Sequence, residues 1–238
     1  MNLKLSRTAL RELTRLYRGV LFAAIISAAF VASGAKAADP ISTAEELKTA
    51  LQSGSDIQVT QNINSIGSIS VSSKTNTVDL NGKTLSGATE GNTGFSFSGG
   101  SLTLSNGGTI SGFYRPDTTP EGVDGSEYAV LDVRNGATLE MTGGDWTFSE
   151  NTLGVGALNT LNASISANVD KMVFKDNVSN SQSAGLRHQD SDNTYTTTTI
   201  TASELVFDNN EVKNVGTYGD AKYGGGTAVM NSGGTLEL

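Results

Sequence analysis

Cysteine is absent from this 238-residue chain. No disulfide can staple the fold, so a packed core and hydrogen-bonded ladders have to stabilise it. The chain also cannot be locked by a disulfide before crossing an outer-membrane pore. Charge is scarce, at 17% of residues, and proline occurs only three times. With 28 glycines and abundant Ser, Thr and Asn, this composition fits either disorder or a turn-dense all-β protein. Regular apolar punctuation decides for the second, because a disordered segment lacks the apolar residues to offset its ordering entropy. No glycine-rich phosphate fingerprint opens a helix, and no Walker sequence occurs. No serine sits at a strand-to-helix elbow with a histidine partner, which argues against a serine hydrolase.

The formal net charge of −8 conceals a split. Residues 1–37 carry six Lys/Arg (Lys4, Arg7, Arg11, Arg15, Arg18, Lys36) against Glu12, giving +5; the remainder carries ten against 23 acids, giving −13. An acidic body argues against nucleic acid and anionic membrane surfaces as partners. The basic start reads as an export signal. Residues 1–19 form a basic n-region, 20–33 an apolar h-region, and Ala35-Lys36-Ala37 an A-x-A cleavage site before Ala38. The apolar run is shorter than the roughly 20 residues that span a bilayer. Residues 1–37 are thus expected to be a signal peptide cleaved between Ala37 and Ala38, and the protein to leave the bacterial cytoplasm for the cell surface, outer membrane or medium. No transmembrane segment is expected in the mature chain.

Residues 41–54 predict a short amphipathic helix within an N-terminal cap over 38–55. Ser42 or Thr43 can cap its start, with Glu45 or Glu46 completing a capping box. Ala44, Leu47 and Leu51 share a face, and Gly54 stands where a helix ends. Such a helix would cover the first open edge of a sheet stack.

From residue 56 to 238 short β runs alternate with turn residues, and internal repeats are visible. Leu80-Asn81-Gly82-Lys83-Thr84-Leu85-Ser86-Gly87 is echoed by Leu104-Ser105-Asn106-Gly107-Gly108-Thr109-Ile110-Ser111-Gly112. Later units place Trp146-Thr147-Phe148, Met172-Val173-Phe174 and Leu205-Val206-Phe207 at the same point. The anchors are Leu85, Ile110, Phe148, Phe174 and Phe207, and their spacings alternate between short and long. The short steps, Leu85 to Ile110 and Phe148 to Phe174, read as bare coils. The long ones read as coils with insertions at 114–127 and 189–198. A coil of about 25 residues holds three short strands and three turns, stacked about 4.7–4.9 Å apart. Val78, Leu80, Phe95, Phe97, Leu102, Leu104, Leu139, Met141, Trp146, Phe148, Met172, Phe174, Leu205 and Phe207 are expected to face inward. The pairs Asn81-Gly82, Asn106-Gly107 and Asn135-Gly136 read as turn formers.

Three anchors extend into Phe-x-x-Asn: Phe148 to Asn151, Phe174 to Asn177, and Phe207 to Asn210. Each precedes a small-residue stretch (Gly154-Val155-Gly156-Ala157-Leu158, Ser183-Ala184-Gly185-Leu186, Gly224-Gly225-Gly226-Thr227-Ala228-Val229). Phe would stack coil on coil. Asn would supply the left-handed corner residue and an amide ladder. Glycine would permit close backbone approach. These units resemble the Phe-x-x-Asn and Gly-Gly-Ala-Ile repeats of polymorphic outer membrane proteins and, more broadly, autotransporter passenger domains of pectin-lyase-like fold. The small-residue element is degenerate in every copy, and these 238 residues contain no transporter barrel. The resemblance implies a right-handed single-stranded parallel β-helix (β-solenoid) with a short N-terminal capping helix, acting in adhesion or host contact without catalysis.

Parallel β-helices also carry polysaccharide lyases and hydrolases, which need carboxylates recurring at coil spacing on one sheet face. The sequence shows no such recurrence. The densest polar cluster is 187–193 (Arg187, His188, Gln189, Asp190, Ser191, Asp192, Asn193). Asp190, Asp192 and Asn193 could reach one Ca²⁺, but the segment reads as a solvated inter-strand loop. Asp117, Glu121, Asp124 and Glu127 sit in the first insertion, and Tyr114, Tyr128, Tyr195, Tyr218 and Tyr223 flank insertions or turns, as a binding loop would have them. No catalytic residue, metal ligand or cofactor is assigned, and the binding residues stay open. The expected partner is a host or surface protein or a carbohydrate. The array reads as incomplete at its C-terminal end, which predicts end-to-end self-association.

Overall fold

A computed structural model describes residues 38–90, 93–115, 129–179, 183–191, 196–213, 217–218, 221–222 and 228–238. The expected signal peptide, with Ala37, lies outside them. The compact unit that begins at Ala38 is all-β apart from one helix, α1 (Ala44–Ser53).

The chain starts α1 where a capping box forms. The Thr43 hydroxyl accepts from the Glu46 N–H at 3.2 Å, and the Glu46 carboxylate accepts from the Thr43 N–H at 3.0 Å. Gly54 ends the helix in the left-handed conformation, φ 81°. Leu47 and Leu51 are buried, and Ala44 packs against the core from its edge. The buried Asn76 side chain donates to the Leu51 carbonyl at 3.1 Å, satisfying a terminal group that the helix leaves open.

The strands form parallel ladders in which each residue faces its counterpart in the next coil. Ile69 faces Phe95, Leu139 faces Ile165 and Phe148 faces Phe174, the same step along the chain each time. Three strips run through the stack. The first holds residues 68–72 and 94–98, then Leu131–Arg134, Leu158–Leu161, Leu186–Gln189 and Val229–Ser232. The second holds 74–79 and 101–105, Thr138–Thr142, 164–168, 197–201 and Thr235–Glu237. The third aligns Ile63, Leu85, Ile110, Phe148, Phe174 and Phe207 in one file. A two-residue fourth strip, which the sequence does not announce, joins Tyr114–Arg115, Thr152–Leu153, Val178–Ser179 and Glu211–Val212. Among the described residues the only antiparallel pair is Thr217–Tyr218 with Ala221–Lys222. The large parallel sheet is consistent with a parallel β-solenoid.

All the expected inward residues are buried except Leu205 and Phe207, which are partly buried and packed against the core. The Asn-Gly pairs behave as turns: Asn81, Gly82, Asn106, Gly107, Asn135 and Gly136 all have φ between 50° and 75°. Gly185 shows the close approach, since a Cβ there would meet the Ala228 carbonyl at 2.4 Å and the Phe207 ring at 2.9 Å.

The register agrees with the two expected insertions and adds to them. Leu158 faces Leu186 and Ile165 faces Thr198. Both steps are longer than the one from Leu139 to Ile165, and the second is the longer of the two. A short surplus therefore precedes Leu186, and a larger one lies between Gln189 and Thr198. A third insertion separates Val212 from Val229, because Leu186 faces Val229 across a much longer stretch of chain than Ser179 faces Val212. The glycine-rich run 224–226 lies outside the described residues.

Candidate functional site

The Phe-x-x-Asn residues come together in two columns. Phe148 and Phe174 stack with centroids 5.2 Å apart and an interplanar angle of 10°; Phe174 and Phe207 stack at 5.0 Å and 4°. Beside them runs an amide ladder. Asn151 Nδ2 donates to Asn177 Oδ1 at 2.7 Å, and Asn177 Nδ2 to Asn210 Oδ1 at 2.9 Å. The same oxygens accept backbone N–H groups of the preceding coil, Asn151 N at 3.3 Å and Asn177 N at 3.2 Å. The amides of Asn177 and Asn210 also donate to the carbonyls of Phe148 and Phe174, both at 2.9 Å. Each Asn thus closes the corner of the coil before it. One expectation is corrected here: the left-handed corner residue is not Asn151, Asn177 or Asn210 but the one before it, Glu150, Asp176 or Asn209, with φ of 57°, 54° and 48°. The Asn turns its amide into the stack, and its neighbour takes up the strained backbone.

The first strip carries polar residues out of sight of solvent. Asp132, Asn159 and Arg187 occupy one file at successive rungs, with exposures of 2%, 0% and 2%. The equivalent Ser70 in an earlier rung is exposed and Ser96 half-buried. Asn159 Nδ2 donates to Asp132 Oδ1 at 2.8 Å, and Arg187 Nη1 to Asn159 Oδ1 at 3.3 Å. Arg134 Nε pairs with Asp132 Oδ2 at 2.5 Å, and Arg187 Nη2 donates to Gln189. Asp132, Arg134 and Arg187 hold further contacts besides these. A buried charge is costly unless paired, and every side chain of this row has a partner within it.

The register places surplus chain between Arg115 and Leu131, between Ser179 and Leu186, between Gln189 and Thr197, and between Val212 and Val229. Each surplus adjoins a first-strip strand in sequence, the placement expected of loops carried by a rigid scaffold.

A second sequence expectation changes. Arg187, His188 and Gln189 are not in a solvated loop; they form the strand Leu186–Gln189, and Arg187 and His188 are buried. Polar composition suggested a loop, but the interior accepts His188 because Thr160 and Thr198 supply partners, their hydroxyls lying 2.6 and 3.0 Å from Nδ1. Carboxylates do not recur in this file, where a single one, Asp132, is followed by neutral Asn159 and then by Arg187; what the sequence reading missed is that these polar side chains are buried together. The available signal was Leu131, Leu158 and Leu186, each followed by a polar residue at nearly equal steps.

Asp190 borders this strip, and its carboxylate accepts from the Thr196 N–H at 3.0 Å. Asp192 and Asn193 lie outside the described residues, as do Asp117, Glu121, Asp124, Glu127, Tyr128, Tyr195 and Tyr223. Tyr114 is 41% exposed. Among the described residues no three His, Asp or Glu converge to hold a metal, and no helix is long and apolar enough to cross a membrane. No protein-family model, curated protein or solved structure matches the chain.

Proposed function

We propose that this chain is an exported, passenger-like right-handed β-helix that presents loops along its first strip for adhesion or host-surface contact, without catalysis. The observation that carries the reading is the coincidence of loop insertions with a buried, internally paired polar row. A row of this kind anchors and orients covering segments better than it performs chemistry, because both Asp132 oxygens are engaged and the histidine faces the core. The resemblance of the Phe-x-x-Asn units to polymorphic outer membrane proteins supports the same reading, with a host protein or glycan as partner. Binding of the purified chain to cultured host cells and to a glycan panel tests it. Replacing 116–128 by a short Gly-Ser linker is expected to abolish binding while the strand circular dichroism and melting curve persist. Retained binding would refute the assignment.

Asp132, Arg134 and Arg187 on one sheet face favour a second reading, a β-helix enzyme that cleaves acidic polysaccharide. Release of unsaturated or reducing ends by the wild type, lost in Asp132→Asn, would establish it; no release would dismiss it.

A further inference from the structure

His188 is the single histidine of the chain and is fully buried. Nδ1 is held between the hydroxyls of Thr160 and Thr198, while Nε2 makes no closed hydrogen bond and has the Thr196 carbonyl as its nearest prospective acceptor. Nε2 lies against the Gly233-Gly234 turn. A Cβ built on Gly234 would lie 2.5 Å from it and 2.7 Å from the Thr196 carbonyl, and Gly234 itself has φ 70°. Thus the Gly233-Gly234 turn closes directly over the imidazole, and only glycine fits there.

We propose that His188 makes the rungs packed on it acid-releasable: a second ring proton puts an imidazolium into a closed core and expels the Gly233-Gly234 turn with strands Val229–Ser232 and Thr235–Glu237. The groups facing the ring are mostly neutral. Leu158–Leu161 offers the Thr160 hydroxyl, and Thr197–Asp208 offers that of Thr198, next to the Thr196 carbonyl. Val229–Ser232 offers Asn231, the register partner of His188. The charged group acting on the ring is Asp190, whose Cβ also lies 3.3 Å from the position a Gly234 Cβ would take. Burial holds the imidazole below its ordinary value of 6.5, opposed by the Thr196 carbonyl and Asp190. The opened form therefore binds the proton more readily than the closed one. The closed form is favoured above about pH 6.5 and loses that advantage as pH falls toward the lowered folded-state value.

This device stands independently of the adhesion reading, and hydrogen exchange on the full-length protein tests it. Between about pH 7.5 and pH 5, after correction for intrinsic rates, amides of 229–237 are expected to exchange about tenfold faster. Those of residues 69–110 should hold their protection. In His188→Asn, which cannot titrate, the acceleration should vanish. Unchanged protection of 229–237 in the wild type, or acceleration that survives in His188→Asn, would overturn the proposal. Should that variant fail to fold, NMR titration of the lone imidazole decides: a folded-state midpoint at or above the unfolded one refutes the mechanism.

Discussion

The Phe174 ring lies between Phe148 and Phe207, so its removal opens a void against both neighbours. Phe174→Ala should cost about 3–5 kcal/mol, read from the urea midpoint. Ser149→Ala, on a half-buried side chain in the preceding coil, should stay within about 0.5 kcal/mol. Equal costs would show the register to be wrong. Asn177 differs in kind, because truncating it strips partners from the Asn151 N–H and amide, the Phe148 carbonyl and Asn210 Oδ1 together. Each buried group left unsatisfied costs about 1–3 kcal/mol, so Asn177→Ala should cost at least about 3 kcal/mol. Asn210, half-buried at the last rung of the ladder, should cost distinctly less on the same measurement. Phe and Asn were legible from sequence because they recur at coil spacing. The bearer of the left-handed corner was not, since Glu150, Asp176 and Asn209 share no side-chain type and the requirement falls on backbone alone.

Among elements, α1 is the one readable in nearly every detail beforehand: cap, box, buried face and glycine stop are all local signals. Thr43→Ala should destabilise the protein by about 1 kcal/mol, measured by thermal melting. The hydrogen bonds from Ser42 and Thr43 hold the Glu46 carboxyl below its ordinary value of 4.5. Its contribution is therefore present above about pH 4.5 and fades as pH falls through the lowered folded-state value. The Thr43→Ala deficit should shrink with it; a deficit constant down to about pH 3 would show that the box does not operate as a unit. The strand Leu186–Gln189 is the opposite case. Arg-His-Gln has no apolar alternation, and its burial depends on what lies over and under it, so periodicity could not reveal it. The steps to Leu131 and Leu158 were readable, but only by aligning leucines rather than phenylalanines.

At the scale of the whole array, each coil meets only its neighbours, so stability is distributed along the stack as a chain of nearest-neighbour couplings. Leu205, Phe207, Val229 and Leu236 are only partly buried, whereas Met172 and Phe174 are fully enclosed. At neutral pH, amide exchange is expected to be slowest at 172–174 and to quicken through 205–207 to 235–237; uniform protection would mean that the array opens as one block. The insertions ahead of Phe148 and Phe207 announced themselves through irregular anchor spacing. The one between Val212 and Val229 did not, because no anchor lies beyond it to reveal the longer step.

The direction of the asparagine ladder gives the stack a polarity that symmetric β-sheet pairing lacks. Each corner along it is closed by an amide belonging to the coil that follows, never by its own. A coil therefore becomes complete only on arrival of its successor, and growth proceeds like a zip whose teeth engage one behind the slider. Tension applied to the last coil would run this sequence backward, freeing one amide, one ring and one corner at a time. The result would be a sawtooth of small force peaks whose spacing follows the unequal coil lengths, with the end closed by α1 yielding last.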